Sequence, residues 1–302
     1  VIEKLFNSKV VIREIAIFLQ RSPNTISREI KRNSVKGIYG AEKARKKASA
    51  RRWRAKRQCL KVAMNGFLVQ FVEAKLELKW TPNSISGYLK RELGISCSGK
   101  AIYKYVESRG LEYRLFWRWN KKKGGPKRQK HAGAPDNRKY IDKRPLFQNV
   151  LGHYELDFIV SRHSPYVLLV ATDQLAKHSM VQKLPNRKRH TISAAFSQMF
   201  SGISVKSITT DNDIAFHHWV ELETIIQAPI YFCHPYHSWE KGLVENTNRW
   251  IRCFVPKRRD IASVTQEDLA EIHAFLNDRP RECLDFRIPS EYYYQESVLL
   301  EG

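Results

Sequence analysis

The sequence predicts a two-part protein: an all-α, strongly basic front half of helix-turn-helix type, joined to an α/β back half. Three observations carry this. Residues 1–150 hold 37 Lys and Arg against 11 Asp and Glu, a net +26, whereas residues 151–302 hold 16 against 19, a net −3. Apolar residues recur at helical spacing through the front and in strand-length runs through the back. The chain of 302 residues, 42% hydrophobic and 11% aromatic, is long enough for two or three cored domains. A basic half on a slightly acidic one points to a nucleic-acid-binding module joined to something else. A solubility surface or a basic tail is the alternative, and the front half's periodicity argues against a tail. The composition excludes a wholly disordered chain. No uncharged apolar run approaches the ~18 residues of a membrane span. The start, Val-Ile-Glu-Lys, has no signal-peptide pattern. The five cysteines (Cys59, Cys97, Cys233, Cys253, Cys283) are scattered and none forms C-x-x-C, which fits a reduced, intracellular protein.

Residues 11–32 read as two short helices. Ile12, Ile15, Ala16 and Leu19 repeat at helical spacing, Gln20-Arg21 break the pattern, and Ser22-Pro23 supply an N-cap and a first helical position. Ile26 and Ile30 form the buried stripe of the second helix; Asn24, Thr25, Ser27, Arg28 and Lys31 occupy its other faces. This is a helix-turn-helix pattern whose polar second helix suits a major groove, with a plain helical hairpin as the alternative. Residues 39–57 continue helically into Arg51, Arg52, Arg54 and their neighbours, a run suited to lie along phosphate. Three further helices are expected at about 65–78, 82–93 and 98–108, with Thr81-Pro82 as a second N-cap start. They make a second helix-turn-helix-like group. The resulting division is 1–58 and 59–116 for two DNA-binding domains, 117–146 for a basic, Gly/Pro-containing linker, and 147–302 for the back domain.

The back half reads as strands at 152–160, 166–173 and 178–184, a helix at about 190–201, a strand at 206–211, a helix near 217–226, a strand at 228–233, and a long helix from about 240. Three antiparallel strands followed by alternating helix and strand match the ribonuclease-H-like order. Asp157 lies inside the first strand among apolar residues, where an unpaired carboxylate is costly. Asp211 ends the fourth strand, and Glu245 lies on the long helix. Two aspartates and a glutamate converging at strand ends suit two Mg²⁺ or Mn²⁺ ions acting on a phosphodiester. On a helical wheel Leu243, Val244, Thr247, Trp250, Ile251 and Phe254 share one face; Lys241, Glu245, Arg249 and Arg252 share the opposite one, and Glu240 falls toward the apolar side. Taken alone, that periodicity favours an ordinary solvent face whose i,i+4 pairs are worth about 0.3–0.5 kcal/mol each.

The literal sequence shifts the balance. GHYELD (152–157), ITTDND-x-x-F (208–216), PYHSWEKGLVENTNRWIR (235–252) and NDRPRECLDFRIPSEYY (277–293) resemble transposases of the insertion sequence 30 family, as does RSPNTISREIKRN (21–33) in the front. The resemblance runs over nearly the whole chain. It implies a DDE triad of Asp157, Asp211 and Glu245 on a retroviral-integrase-like core. It implies Mg²⁺ or Mn²⁺, two ions, and metal-dependent hydrolysis and strand transfer of DNA. The partners it implies are double-stranded DNA, as terminal inverted repeats and target, and a second copy of the chain in a dimer or higher assembly, with no membrane. The expected location is the cytoplasm, at a bacterial nucleoid. Lys241, Arg249 and Arg252 are expected near the DNA backbone. A catalytically silent, transposase-derived repressor or architectural protein is the alternative; a serine or tyrosine recombinase lacks its nucleophile-and-arginine signature. The family's D-N-G-x-E-F is here Asp211-Asn212-Asp213-Ile214-Ala215-Phe216, which bears on the turn after the metal-bearing strand. Asp173 is expected to start a turn. Cys233, His234 and His237 invite a zinc reading, but without a second Cys pair structural or DNA-contact roles are favoured. Trp239 is expected in core or DNA packing. Asn246 and Asn248 are expected to orient Glu245 or touch DNA, with capping or solvent as the plain alternative.

Overall fold

Alternation along residues 153–160 decides the architecture of the back half. Tyr154 and Leu156 enter one apolar cluster, whereas Ile159 enters another on the opposite side of the sheet. Glu155 and Asp157 share the Ile159 side by the same period of two. The computed structural model describes residues 1–57, 61–116, 137–145, 150–235 and 237–301. These form two compact units, 1–70 with 100–109, and 71–99 with 110–302.

The front half is helical as expected: α1 (Ile2–Asn7), α2 (Ile12–Phe18), α3 (Pro23–Asn33), α4 (Ala41–Arg57), α5 (Gly66–Glu77), α6 (Pro82–Glu92) and α7 (Gly99–Ser108). Ile15 and Ala16 of α2 pack with Ile26 and Ile30 of α3, and Tyr39 and Ala44 close the cluster. Gln20 breaks the chain between α2 and α3 by adopting a φ of 51°. Ser22 Oγ then accepts the Thr25 N–H at 3.2 Å, and Pro23 takes the first helical position. Thr81 repeats the device at α6, its hydroxyl accepting the Ser84 N–H at 3.0 Å. Leu93, the last residue of the helix expected at 82–93, lies just past the end of α6 at Glu92 and is 44% exposed. Most of the segment read as linker, 117–136 and 146, lies outside the described residues. Residues 137–145 belong to the second unit, where Tyr140 bridges in parallel to Phe232.

The second unit is built on β1 (His153–Val160), β2 (Val167–Asp173), β3 (Ser179–Leu184), β4 (Ser207–Thr210) and β5 (Ile230–Phe232). Their order across the sheet is β3-β2-β1-β4-β5; β1 to β3 are antiparallel, and β4 and β5 run parallel to β1. This is the ribonuclease-H-like topology. Gly152 starts it at a φ of 99°, and a Cβ there would lie 2.5 Å from the Ser204 carbonyl oxygen, so only glycine fits. One face of the sheet is covered by α8 (Arg189–Met199) and α9 (Trp219–Ile226), through Ile192, Phe196 and Leu222. The other is covered by α10 (Gly242–Phe254) and α11 (Gln266–Asn277), through Val244, Ile251, Ile272 and Leu276. A last helix, α12 (Pro289–Glu301), follows. No described helix is long and apolar enough to cross a membrane.

Candidate active site

Strand register brings the two aspartates together. Glu155 on β1 pairs with Thr209 on β4 in parallel. Two residues further, Asp157 on β1 and Asp211 just past the end of β4 therefore stand side by side, on the face that α10 covers. The Lys241 Nζ bridges them, 3.0 Å from Asp157 Oδ1 and 2.7 Å from Asp211 Oδ2. Asn248 of α10 donates to Asp157 Oδ2 at 2.7 Å. Burial pushes the Asp157 carboxyl above its usual range, against the Lys241 ammonium, and the Asp211 charge adds to the rise. Burial also works against the Lys241 charge, but Asp157 and Asp211 together outweigh it and hold the ammonium above its usual range.

Glu245 sits in the first turn of α10, three residues before Asn248, so the two share one side of the helix. Since Asn248 reaches Asp157, the side carrying Glu245 is the side toward the aspartates. Glu245 is half-buried and makes no ion pair or hydrogen bond among the described residues. The helix is pinned here by Glu155, whose Oε2 accepts the otherwise orphan N–H of Val244 at 3.0 Å. Gln174 donates to the other Glu155 oxygen at 3.0 Å. Glu155 was not singled out from the sequence; its place two residues before Asp157, on the same strand face, is the signal that marks it. From behind, Arg279 and Arg281 stack on the Trp250 ring at 4.0 and 4.1 Å, which gives the 277–293 motif a bracing role.

Two oxygen-bearing carboxylates held against one ammonium form a donor set suited to a hard divalent cation, and the ammonium stands in for that charge. Lys241 itself departs from expectation. It was expected on an outward face with Arg249 and Arg252, yet it is 6% exposed, because it caps α10 rather than lying within it. Arg249 is exposed, whereas Arg252 is half-buried and donates to the Val160 carbonyl at 3.0 Å. Asp213 neither joins the aspartates nor points freely to solvent. It accepts the Ala215 N–H at 2.9 Å and pairs with Arg187 at 2.7 Å, and its φ of −63° needs no glycine. Asp173 caps its turn, accepting the Gly152, Leu175 and Ala176 N–H groups at 3.0, 2.9 and 2.7 Å. Cys233 faces the core, its thiol pushed up to about 12, chiefly by burial. Trp239 is 71% exposed and so is not core.

In the first unit, Asn24, Thr25, Ser27, Arg28 and Lys31 line the exposed side of α3. Thr25 shares a 2.8 Å hydroxyl contact with the Ser22 cap. Arg52 is exposed. Arg51 is exposed, and its guanidinium donates to Asn33 Oδ1 at 2.8 Å, which ties α4 to the end of α3. The Arg54 side chain lies outside the described residues.

A helix-turn-helix domain model matches residues 1–33. The transposase InsI for insertion sequence element IS30A of Escherichia coli (strain K12) is 31% identical over 306 residues, covering 94% of this chain and 79% of that protein. The transposase for insertion sequence element IS4351 of Bacteroides fragilis is 30% identical over 301 residues, covering 95% and 90%. Among solved structures, the catalytic core domain of BIV integrase aligns with a TM-score of 0.40 and 15% identity, over 50% of this chain and 99% of that one. With identity of this level over almost its whole length, the chain belongs to the insertion sequence 30 family of transposases.

Proposed function

We propose that the chain is a DNA transposase that binds the terminal inverted repeats of its element and cuts and joins DNA at Asp157, Asp211 and Glu245. The observation that carries this is the pair of aspartates bridged by one buried ammonium, with Asn248, one helical turn past Glu245 on α10, donating to Asp157. Asp157 and Asp211 would hold the divalent cations, Mg²⁺ or Mn²⁺, with Glu245 completing the set. When bound, two such ions stabilise both the attacking and the leaving oxygens of a phosphodiester. The chain's own residues position and orient. Asn248 fixes Asp157 Oδ2, Glu155 pins the first turn of α10, and Lys241 compensates the charge of the two aspartates. Arg249, exposed beyond Glu245, compensates DNA phosphate. Water attacks the phosphorus at the element end and breaks its bond to the 3′-oxygen; the freed 3′-hydroxyl then attacks a second phosphodiester and displaces that strand's 3′-oxygen, with no covalent link to the protein. In the front half, α3 reads bases through Asn24, Ser27 and Arg28, while Lys31 and Arg52 contact phosphate. The domain division 1–58, 59–116, 117–146 and 147–302 belongs to the same proposal, as does assembly of at least two copies on DNA.

The test is incubation of the full chain with DNA carrying the element's ends, in Mg²⁺ and in chelator. Nicks bearing a free 3′-hydroxyl, in Mg²⁺ alone, are expected. Binding without cleavage in either condition would favour the silent repressor. Cleavage in chelator with protein attached covalently to DNA would favour a recombinase.

A further inference from the structure

Between β5 and α10 the chain passes through nine residues, 233–241, and three side chains of this passage converge. Glu240 turns back from the short 3-10 turn before α10 (Ser238–Lys241), and its Oε2 accepts the His234 backbone N–H at 2.7 Å. That bond fixes the carboxylate and aims Oε1 at two imidazoles. Oε1 lies 3.0 Å from His234 Nδ1 and 3.8 Å from His237 Nδ1. One ligand atom from each of the three residues lies within 4.8 Å of the other two. A hydrogen bond accounts for His234 but not for His237, whose buried Nδ1 has no hydrogen-bond partner. A buried polar atom left over in this way calls for an explanation, and an ion is one.

The surroundings are those of a ligand site. His234 Nε2 faces the Asp142 carboxylate at 3.3 Å. A carboxylate behind an imidazole is the arrangement that sets the tautomer and ring direction of metal-binding histidines. Tyr140 stacks on the His234 ring at 5.2 Å, and Trp239 meets the His237 ring edge-on at 4.5 Å, so both rings are held.

We infer that His234, His237 and Glu240 form a three-ligand site for Zn²⁺, separate from the aspartate pair. Two imidazoles and one carboxylate are a zinc donor set, whereas oxygen ligands alone suit Mg²⁺. Tetrahedral bonds of about 2.0–2.1 Å place neighbouring ligand atoms about 3.3 Å apart. The 3.0 and 3.8 Å separations bracket that spacing. A fourth position is open to water. The ion fastens the start of the passage to the turn before α10, and thereby steadies the segment from which Lys241 and Glu245 project. Locally the sequence shows Cys233 beside His234, which suggests thiolate ligation, whereas the third donor is a carboxylate three residues past His237.

The test uses the full chain, stripped by chelator and titrated with Zn²⁺, and with Co²⁺ as a spectroscopic probe. The expected result is one tight equivalent of Zn²⁺, a tetrahedral Co²⁺ spectrum, and a higher thermal midpoint with Zn²⁺. Asp157→Asn should keep all three. His237→Ala should bind about a hundredfold more weakly, His237→Cys should restore binding, and Asp142→Asn should weaken it about tenfold. His237→Ala also loses the ring contacts to His234 and Trp239, and His237→Cys loses them too, so recovery of binding in His237→Cys separates a lost ligand from lost packing. No tight equivalent in the wild type, unchanged binding in His237→Ala, or loss of the equivalent in Asp157→Asn would each overturn the assignment.

Discussion

Lys241 is the residue that holds the aspartate pair together. Its ammonium touches both aspartates, and removing it leaves two carboxylates facing each other under α10. Lys241→Met keeps the volume and loses the charge. Breaking a buried pair by deleting one partner costs about 3–5 kcal/mol. The Asp211 side chain is 39% exposed, so solvent screening brings the expected loss to about 2 kcal/mol. Denaturant midpoints in chelator should show that loss, and saturating Mg²⁺ should return most of it; equal midpoints for variant and wild type would count against the compensating role. The wheel misplaced Lys241 for a physical reason. It assumes helical geometry at every position, but residues 238–241 form a 3-10 turn and Lys241 is the cap, with φ −125° and ψ 41°. Asp157 and Asp211 were legible because a carboxylate inside an apolar strand, or at its end, stands out in any register. Glu245 needed the family resemblance, since periodicity alone fitted a solvent face equally well.

At the scale of elements, α3 and the β2–β3 turn each carry a prediction. Arg28 is exposed on α3, and Arg45 is exposed on α4. Arg28→Ala should lower the preference for cognate over random DNA by about 1–3 kcal/mol. Arg45→Ala should weaken binding to both alike, as competition binding would reveal; equal loss on both DNAs for Arg28→Ala would remove α3 from base reading. In the β2–β3 turn, burial lowers the His178 pKa from 6.5 to about 4. The unfolded chain therefore takes up that proton first. Stability from this group is complete above about pH 6.5 and is lost as pH falls toward 4. His178→Phe retains a ring to stack on Tyr293, which lies 4.6 Å away, and should flatten that part of the urea-midpoint profile relative to wild type. An identical acid slope in the variant would contradict the assignment. Every strand was legible, because the runs are short, apolar and separated by turn residues. α11 and α12 went unread, although Thr265 and Asp268 form a capping box at the start of α11 and Pro289 opens α12. α1 has no side-chain cap to announce it.

The whole molecule is divided by charge: the +26 front half suits attraction to DNA phosphate, and under the proposed function the near-neutral back half would position two chain segments around a phosphodiester. Charge and periodicity both change near residue 150, whereas the compact units divide at residues 70, 99 and 109, which no local pattern marks. The register that sets Asp157 beside Asp211 is a pairing between distant segments, and no local pattern announces it. The central claim is that these aspartates and Glu245 act together on DNA. It is tested most directly by end cleavage and strand joining in Mg²⁺ with Asp157→Asn and Glu245→Gln, after both have been shown to bind repeat DNA as the wild type does. Each substitution keeps shape and removes one metal-holding charge. A cost of about 4 kcal/mol in transition-state stabilisation predicts a loss of about a thousandfold in both reactions with binding intact. Cleavage within about twofold of wild type by Glu245→Gln, with DNA fully bound, would contradict the assignment of Glu245 and require another acid to complete the site.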